Sequence, residues 1–491
     1  MIQSLHGCLL PRAMAAVPLR TESGAKPAPA PTPLLAADVL GGISGFQRLG
    51  YLFLIVYLFL IYSRIFDVKL SFLHIPGISY RVILVMVLLS RAFLVALKSS
   101  IGRWMAFLTL WFMAAILSSL WGRGSMQILF EAWLPAFVIF LASAGLIANF
   151  EQCRRAIHTV GWAIFVLALI AVFWGSTEET GRLFLPHGKF ANPNEMAQAL
   201  LLGIPLWGVM FFDTKALVKK VFACGVMLLM LVVVSKTGSR GALVAFGSML
   251  LVVFLRASLM DRLKLIIGGC LMLAILVGLM PGKLLRRYTK FSEEADPVVV
   301  TTDADYDLAL EASAVSSTRT RRELLRKSIK FTLQHPVFGV GPGMFVVAED
   351  ADAKANGRRK GTWQGTHNSY TQVSSEIGIP GAIAYVAIIL LSLKKTGALY
   401  RRTRGDPRLA QIGYCALGLN YCLVVYAVSV LFDYIAYTSM LSVFSGLSAA
   451  LDMVAKPEID RIQATPAPPP PIPFAAFRPS WRRTTGVPQQ A

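Results

Sequence analysis

Charge is scarce in this chain. Only 15% of its 491 residues are Asp, Glu, Lys or Arg, against 55% hydrophobic, and the mean hydropathy is +0.59. Soluble domains carry about a quarter charged residues, so a soluble globular enzyme is excluded. Acidic side chains are the scarcer sign, 27 against 48 basic, for a formal net charge of +21. No basic run is interleaved with aromatics, so the excess does not describe a nucleic-acid surface. It suits loops retained on the cytoplasmic side of a membrane. The six cysteines show no CxxC spacing and mostly fall in apolar stretches, which implies neither a disulfide framework nor a zinc site. The six histidines form no HExxH element and have no carboxylate cluster beside them, so neither a metal nor a cofactor is expected. The run His335-Pro336-Val337-Phe338-Gly339-Val340-Gly341-Pro342-Gly343 lacks the Gly-Lys-Ser/Thr ending of a phosphate-binding loop. It is expected to be a series of turns that use glycine's positive φ. Pro11 and Arg12 interrupt the first apolar stretch, so no cleavable leader is expected.

What the chain has in quantity is long apolar runs. A bilayer core about 30 Å thick takes roughly 20 residues of helix. That length predicts an all-α, polytopic integral membrane protein in contact with the lipid bilayer, with about twelve transmembrane helices. Nine lie at 49–65, 78–97, 104–121, 128–148, 156–174, 196–212, 217–235, 240–255 and 263–280, and three at 377–393, 409–432 and 434–451, the last two joined only by Asp433 and its neighbours. The expected organisation is a tail at 1–48, helices over 49–280, a large loop at 281–366, helices over 367–451 and a tail at 452–491. Both tails contain Ala/Pro-rich runs and are expected to be disordered.

Loops after the even-numbered spans hold about 16 Lys and Arg against about 7 after the odd-numbered ones, which places both termini in the cytoplasm. The basic stretch 394–408 is then an inside loop that anchors topology. Three unusual segments fall together on the outer face: 175–195, the junction 236–240, and the loop 281–366, which is too long for a mere connector.

On that face Arg240 opens a span within Thr237-Gly238-Ser239-Arg240-Gly241, where free N–H groups at a helix N-terminus favour an anion. A boundary arginine snorkelling to water is the alternative. In the large loop, residues 317–334 pattern as an amphipathic helix. Arg322, Arg326 and Lys330 share one stripe, while Arg321 shares a face with Leu325, Ser328 and Thr332 and is directed toward protein. A guanidinium held that way needs an anion, either a ligand or a structural carboxylate. His367 precedes the tenth span, with Tyr370, Thr371 and Ser374 on its helical face. Such a stripe is expected to line a cavity, and neutral histidine accepts protons near pH 7. His187 lies on the same outer side as a weaker candidate. Asn192-Pro193-Asn194 reads first as a turn.

These segments together resemble the O-antigen ligase/polymerase family of bacterial envelope glycan enzymes. His367-Asn368, then nine residues, then Gly378-Ile379-Pro380-Gly381 resembles the family's H-[NSQ]-x9-G-x-x-G signature. Phe190-Ala191-Asn192-Pro193-Asn194, Ser239-Arg240-Gly241, and Arg321 fourteen residues before the His335 run agree in order and spacing. The likeness covers roughly 182–381; Leu325 departs from it, standing where many relatives have Trp. The resemblance implies a metal-independent, GT-C-like membrane glycosyltransferase in the bacterial inner membrane. Such an enzyme transfers a glycan from undecaprenyl diphosphate, at the periplasmic face, to a hydroxyl of a glycan, a lipid A core or a protein. The family's arginine pair maps onto Arg240 and Arg321 and its histidine onto His367. Asn368 and Glu376 are expected to orient the site, and Asn192 and Asn194 to support the outer loop. A ligase is preferred, with an exopolysaccharide or O-antigen polymerase or a protein O-oligosaccharyltransferase as alternatives within the class. A lipid-linked glycan flippase is the alternative from another class. Against it stand the one-sided clustering of Arg240, Arg321 and His367 and the lack of mid-span charges.

Overall fold

The computed structural model describes residues 45–65, 76–178, 181–186, 188, 192–279 and 303–464. His187, residues 281–302 and most of both Pro-rich tails lie outside that set. The helices are α1 (Gly45–Ser63), α2 (Pro76–Leu89), α3 (Ala92–Lys98), α4 (Ser100–Leu117), α5 (Gly122–Ile128), α6 (Leu134–Gly145) and α7 (Phe150–Trp174). They continue with α8 (Pro193–Asp213), α9 (Leu217–Lys236), α10 (Arg240–Arg256), α11 (Leu259–Leu279), α12 (Asp303–Gln334), α13 (Phe345–Ala355), α14 (Ser369–Thr403), α15 (Ala410–Ser429) and α16 (Ser439–Ala464). A π-helical turn, Leu129–Trp133, joins α5 to α6. A small antiparallel hairpin pairs Ser176–Thr177 with Leu183–Phe184.

Among the described residues eight helices are long and apolar enough to cross a membrane, or nine if the pair α2 and α3, bent by 83°, is one span. Twelve were expected. Each expected stretch does lie on a helix, but α10, α11 and α16 fall outside the eight. The helix α10 has only 17 residues. The helix α16 is diluted by serines because it is enclosed by protein rather than lipid: Ser442, Ser445 and Ser448 are buried against the bundle. A Cβ on its Gly446 would sit 2.8 Å from Ser143 Cβ and 3.1 Å from Phe140 O of α6, so small residues set this close crossing.

At the centre of the bundle, α8 packs on α7, α9 and α15, and α14 packs on α4 and α15. The outward sides of α9 and α11 carry exposed Leu217, Val218, Ile267 and Leu271, as lipid-facing surfaces should.

The large loop holds two helices where one was expected. In α12, Leu324, Ser328 and Phe331 are buried and Arg322, Arg326 and Lys330 exposed. The buried side packs with Met344, Phe345 and Ala348 in a satellite core, and Lys327 reaches Glu349 of α13 at 2.7 Å.

Between these helices the glycine-rich run forms turns, with φ of 66° at Gly339, 107° at Gly341 and 73° at Gly343. It plugs into a kink in α14, where Ile377 and Gly378 leave helical geometry. The N–H of Ile379 donates to Pro336 O at 2.8 Å, and those of Val340 and Gly341 donate to the carbonyls of Ser375 and Glu376 at 2.9 Å. Trp111 stacks on Phe338 and its indole N–H reaches Ile377 O at 2.9 Å. The G-x-x-G element thus has a packing cause. Gly378 has φ 76° and a Cβ there would lie 2.0 Å from Val337 O, while one on Gly381 would strike Ile377 at 2.5 Å.

Three boundaries differ from expectation. Residues 45–48, expected in the first tail, are already helical. The helix α16 runs to Ala464 rather than ending at 451, since its extension buries Val454 and Ile459 and Arg408 donates to Ile462 O. The basic stretch expected as a loop is helical through Thr403, because Thr396, Leu399 and Thr403 remain buried against the bundle.

Candidate functional site

The three segments expected to share a face meet at one end of the bundle. Arg182, beside the hairpin, donates from Nε to Thr237 O at 2.8 Å and from Nη2 to Asn194 Oδ1 at 2.9 Å. One guanidinium therefore ties the hairpin to the start of α8 and to the turn before α10. At that turn Ser239 caps α10, accepting from Ala242 N, and Gly238 takes φ 62°. A Cβ on Gly241 would lie 2.8 Å from Phe432 Cβ, so glycine lets the α10 N-terminus approach the segment between α15 and α16.

A cleft opens there, lined by Asn194, Gln198, Ser239, Gly241, Arg321, Ser429 and Asp433 among others. Arg321 enters from α12, as its helical face predicted. Burial depresses its pKa, Asp433 opposes that shift, and the positive charge of Arg240 adds to it. The carboxyl of Asp433 is pushed up to about 8 by desolvation and by Glu195, against the pull of Arg321 and Arg182. His367 is pushed down to about 4, mainly by burial and then by the Arg321 charge. His367 also holds a left-handed φ of 50°, an uncommon conformation for a residue without glycine's freedom. His367 thus feels the charge of Arg321, and Arg321 that of Arg240.

The cleft holds polar atoms that the protein does not satisfy. Nε of Arg321, both amide atoms of Gln198 and Oγ of Ser429 are buried without a hydrogen-bond partner. Three unsatisfied side chains around one cleft is an unusual concentration.

The other expected site residues do structural work. Asn192 caps α8, accepting from Asn194 N at 3.0 Å, which is the turn role. Asn194 faces the cleft, its oxygen engaged by Arg182. Asn368 caps α14, accepting from Tyr370 N at 2.9 Å and Thr371 N at 3.1 Å. Glu376 is fully buried, accepting from Gly343 N at 2.9 Å and Tyr434 OH at 2.6 Å. The polar stripe following His367, expected to line a cavity, finds its partners within the protein: Tyr370 donates to Ala427 O, Thr371 bonds back to Asn368 O, and Ser374 pairs with Thr332. It glues α12 and α15 to α14.

Sequence reasoning missed Arg182, Gln198 and Asp433 as parts of the site. For Asp433 a signal existed, since it is the one acidic residue in the apolar stretch 409–451, and ionisable groups in such stretches mark sites more often than not. For Gln198 nothing in the local pattern separates it from a core position. Among the described residues no three His, Cys, Asp or Glu side chains gather as a metal site requires.

Fold and cleft together describe a polytopic helical membrane protein with a polar cleft at one end of its bundle, bordered by Arg321 and Asp433. Residues 225–386, about a third of the chain, match the family model described as O-antigen ligase. The match takes in Arg240, Arg321, the glycine-rich turns and the His367-to-Gly381 element, and begins after Asn192 and Asn194. It supports a membrane enzyme of the glycan ligase or polymerase type. No curated protein matches the chain.

Proposed function

We propose that the chain is an O-antigen ligase-like glycosyltransferase of the bacterial inner membrane, with both termini cytoplasmic. It transfers a glycan from undecaprenyl diphosphate to an acceptor hydroxyl at the periplasmic face, without a metal ion. The observation that carries this reading is the cleft itself: half-buried Arg321 lines it with a buried, unpartnered Nε, close enough to Arg240 to feel its charge.

A diphosphate leaving group needs its charge neutralised more than it needs a proton. Two guanidiniums provide that with directed, bidentate hydrogen bonds. Before donor binding, the Arg321–Arg240 repulsion and the unsatisfied donors keep the cleft primed for an anion. Asp433, protonated at neutral pH, adds no negative charge to compete with it.

His367 is then the base that takes the acceptor hydroxyl proton, so the oxygen attacks the anomeric carbon as the carbon–phosphate oxygen bond breaks, with inversion. A docked diphosphate offsets the Arg321 charge that suppresses the imidazole, so donor binding makes His367 a better base. Asn368 holds the backbone next to that histidine, Glu376 fixes the turns against α14, and Asn192 and Asn194 hold the start of α8.

The test is transfer by the purified chain in nanodiscs from a lipid diphosphate-linked glycan to core oligosaccharide, glycan or peptide acceptors. His367→Ala is expected to lower kcat by at least about 100-fold. Because His367 stays neutral down to about pH 4, the acid limb of kcat/KM is expected well below the ordinary histidine value of about 6.5. Near-normal transfer by His367→Ala removes the base.

A further inference from the structure

A second cleft lies next to the first and is used by none of the steps above. It is lined by Tyr62 and Arg64 at the end of α1, Glu195 of α8, and Thr438 and Ser439 at the start of α16, with Ile61 and Met440 as its apolar wall. Glu195 connects the two clefts, since its charge is felt by Asp433 in the first.

Two hydroxyls in this second cleft have no place in the fold's own hydrogen bonding. Tyr62 is 2% exposed, its ring held edge-on against Phe444 at 6.1 Å, yet its OH has no partner; nor has Oγ1 of Thr438. Burying a hydroxyl without a partner is costly, and here two of them border the same space. The remaining lining supplies a guanidinium donor, a carboxylate acceptor and a small apolar surface. Paired donors and acceptors around an apolar patch match a sugar ring, whose hydroxyls both donate and accept and whose C–H face is apolar.

We propose that this cleft is a saccharide subsite, which holds a sugar next to the reacting centre through Tyr62, Thr438, Arg64 and Glu195. The proposal rests on the glycosyltransferase reading for its context, but binding can be measured without turnover. The sugar comes from either the donor glycan or the acceptor, and the test separates these sources.

The full chain in detergent is titrated with the reducing oligosaccharide released by mild acid from the host's lipid-linked glycan and, separately, with delipidated core oligosaccharide. Wild type and the transfer-deficient Arg321→Ala variant are both expected to bind one of the two. Tyr62→Phe and Thr438→Val are each expected to weaken that binding about 3- to 10-fold and to raise KM for the same substrate with kcat little changed. Neither substitution should lower thermal stability, because neither removes a hydrogen bond made by the protein. Unchanged affinity in both variants, a wild type that binds neither sugar, or a stability loss in Tyr62→Phe overturns the subsite. Absence of transfer by wild type with this binding pattern intact overturns the transferase reading and leaves the subsite standing.

Discussion

Two buried carboxylates, Glu376 and Asp433, lie near one another at the same end of the bundle and have opposite surroundings. Glu376 accepts from the Gly343 N–H and the Tyr434 hydroxyl, in a region where the turns, the α14 kink and Trp111 are joined by short hydrogen bonds. Asp433, next to Tyr434 in sequence, faces a cleft bordered by Arg321, Gln198 and Ser429, each with a buried polar atom left unsatisfied. A satisfied polar cluster fixes geometry. A cluster left unsatisfied raises the free energy of the empty state and is relieved when a ligand supplies the missing partners. Tyr434 joins the two, so the braced region sets where the cleft's aspartate stands.

That contrast is broken most decisively at Arg321. Arg321→Ala is expected to cut transfer by about 100- to 1,000-fold with thermal stability unchanged or increased, since the substitution removes a buried Nε that has no hydrogen-bond partner. Arg321→Lys keeps the charge but loses the fork, and it should recover only a small part of the rate. Full activity in either variant, measured in correctly inserted protein, takes Arg321 out of the reaction.

Glu376→Ala should show the reverse pattern. It strands the Gly343 N–H and the Tyr434 hydroxyl and is expected to cost about 2–4 kcal/mol, read as faster thermal inactivation, with the transfer rate per folded molecule within severalfold of wild type. A stable but inactive Glu376→Ala protein would place that carboxylate in the chemistry and erase the comparison.

The smallest effect sharpens it further. Gln198→Met keeps the volume and removes an amide that bonds to nothing in the protein, so stability should hold. Donor KM should rise about 3- to 10-fold if the amide serves the ligand. An unchanged KM, from initial rates at varied donor, makes Gln198 a bystander.

Much of this end of the molecule was legible beforehand. The 3.6-residue period of α12 separated Arg321 from the exposed Arg322, Arg326 and Lys330, because a helix fixes which side chains share a face whatever surrounds it. The turns of the glycine-rich run were legible for a similar reason: local chemistry favours left-handed backbone at glycine. What failed was inference across contacts. The stripe of Tyr370, Thr371 and Ser374 looked the same in sequence whether it faced water or the hydroxyl of Thr332. Asn368 and Glu376 had the chemistry of ligand-binding groups, and only their partners revealed a helix cap and a brace.

By itself the sequence determined that this is a helical membrane protein, which stretches are helical, and which face of α12 turns inward, since burial of apolar surface and backbone hydrogen bonding within each helix depend on neighbours in the chain. The tertiary structure alone decided that Gln198, Arg321 and Asp433, drawn from three distant segments, line one cleft and that Arg182 lies close enough to act on Asp433. It alone decided which polar atoms are left unsatisfied and that a second cleft opens beside Glu195. Such facts rest on packing between elements far apart in the chain, where a difference of one helical turn in docking would change every partner.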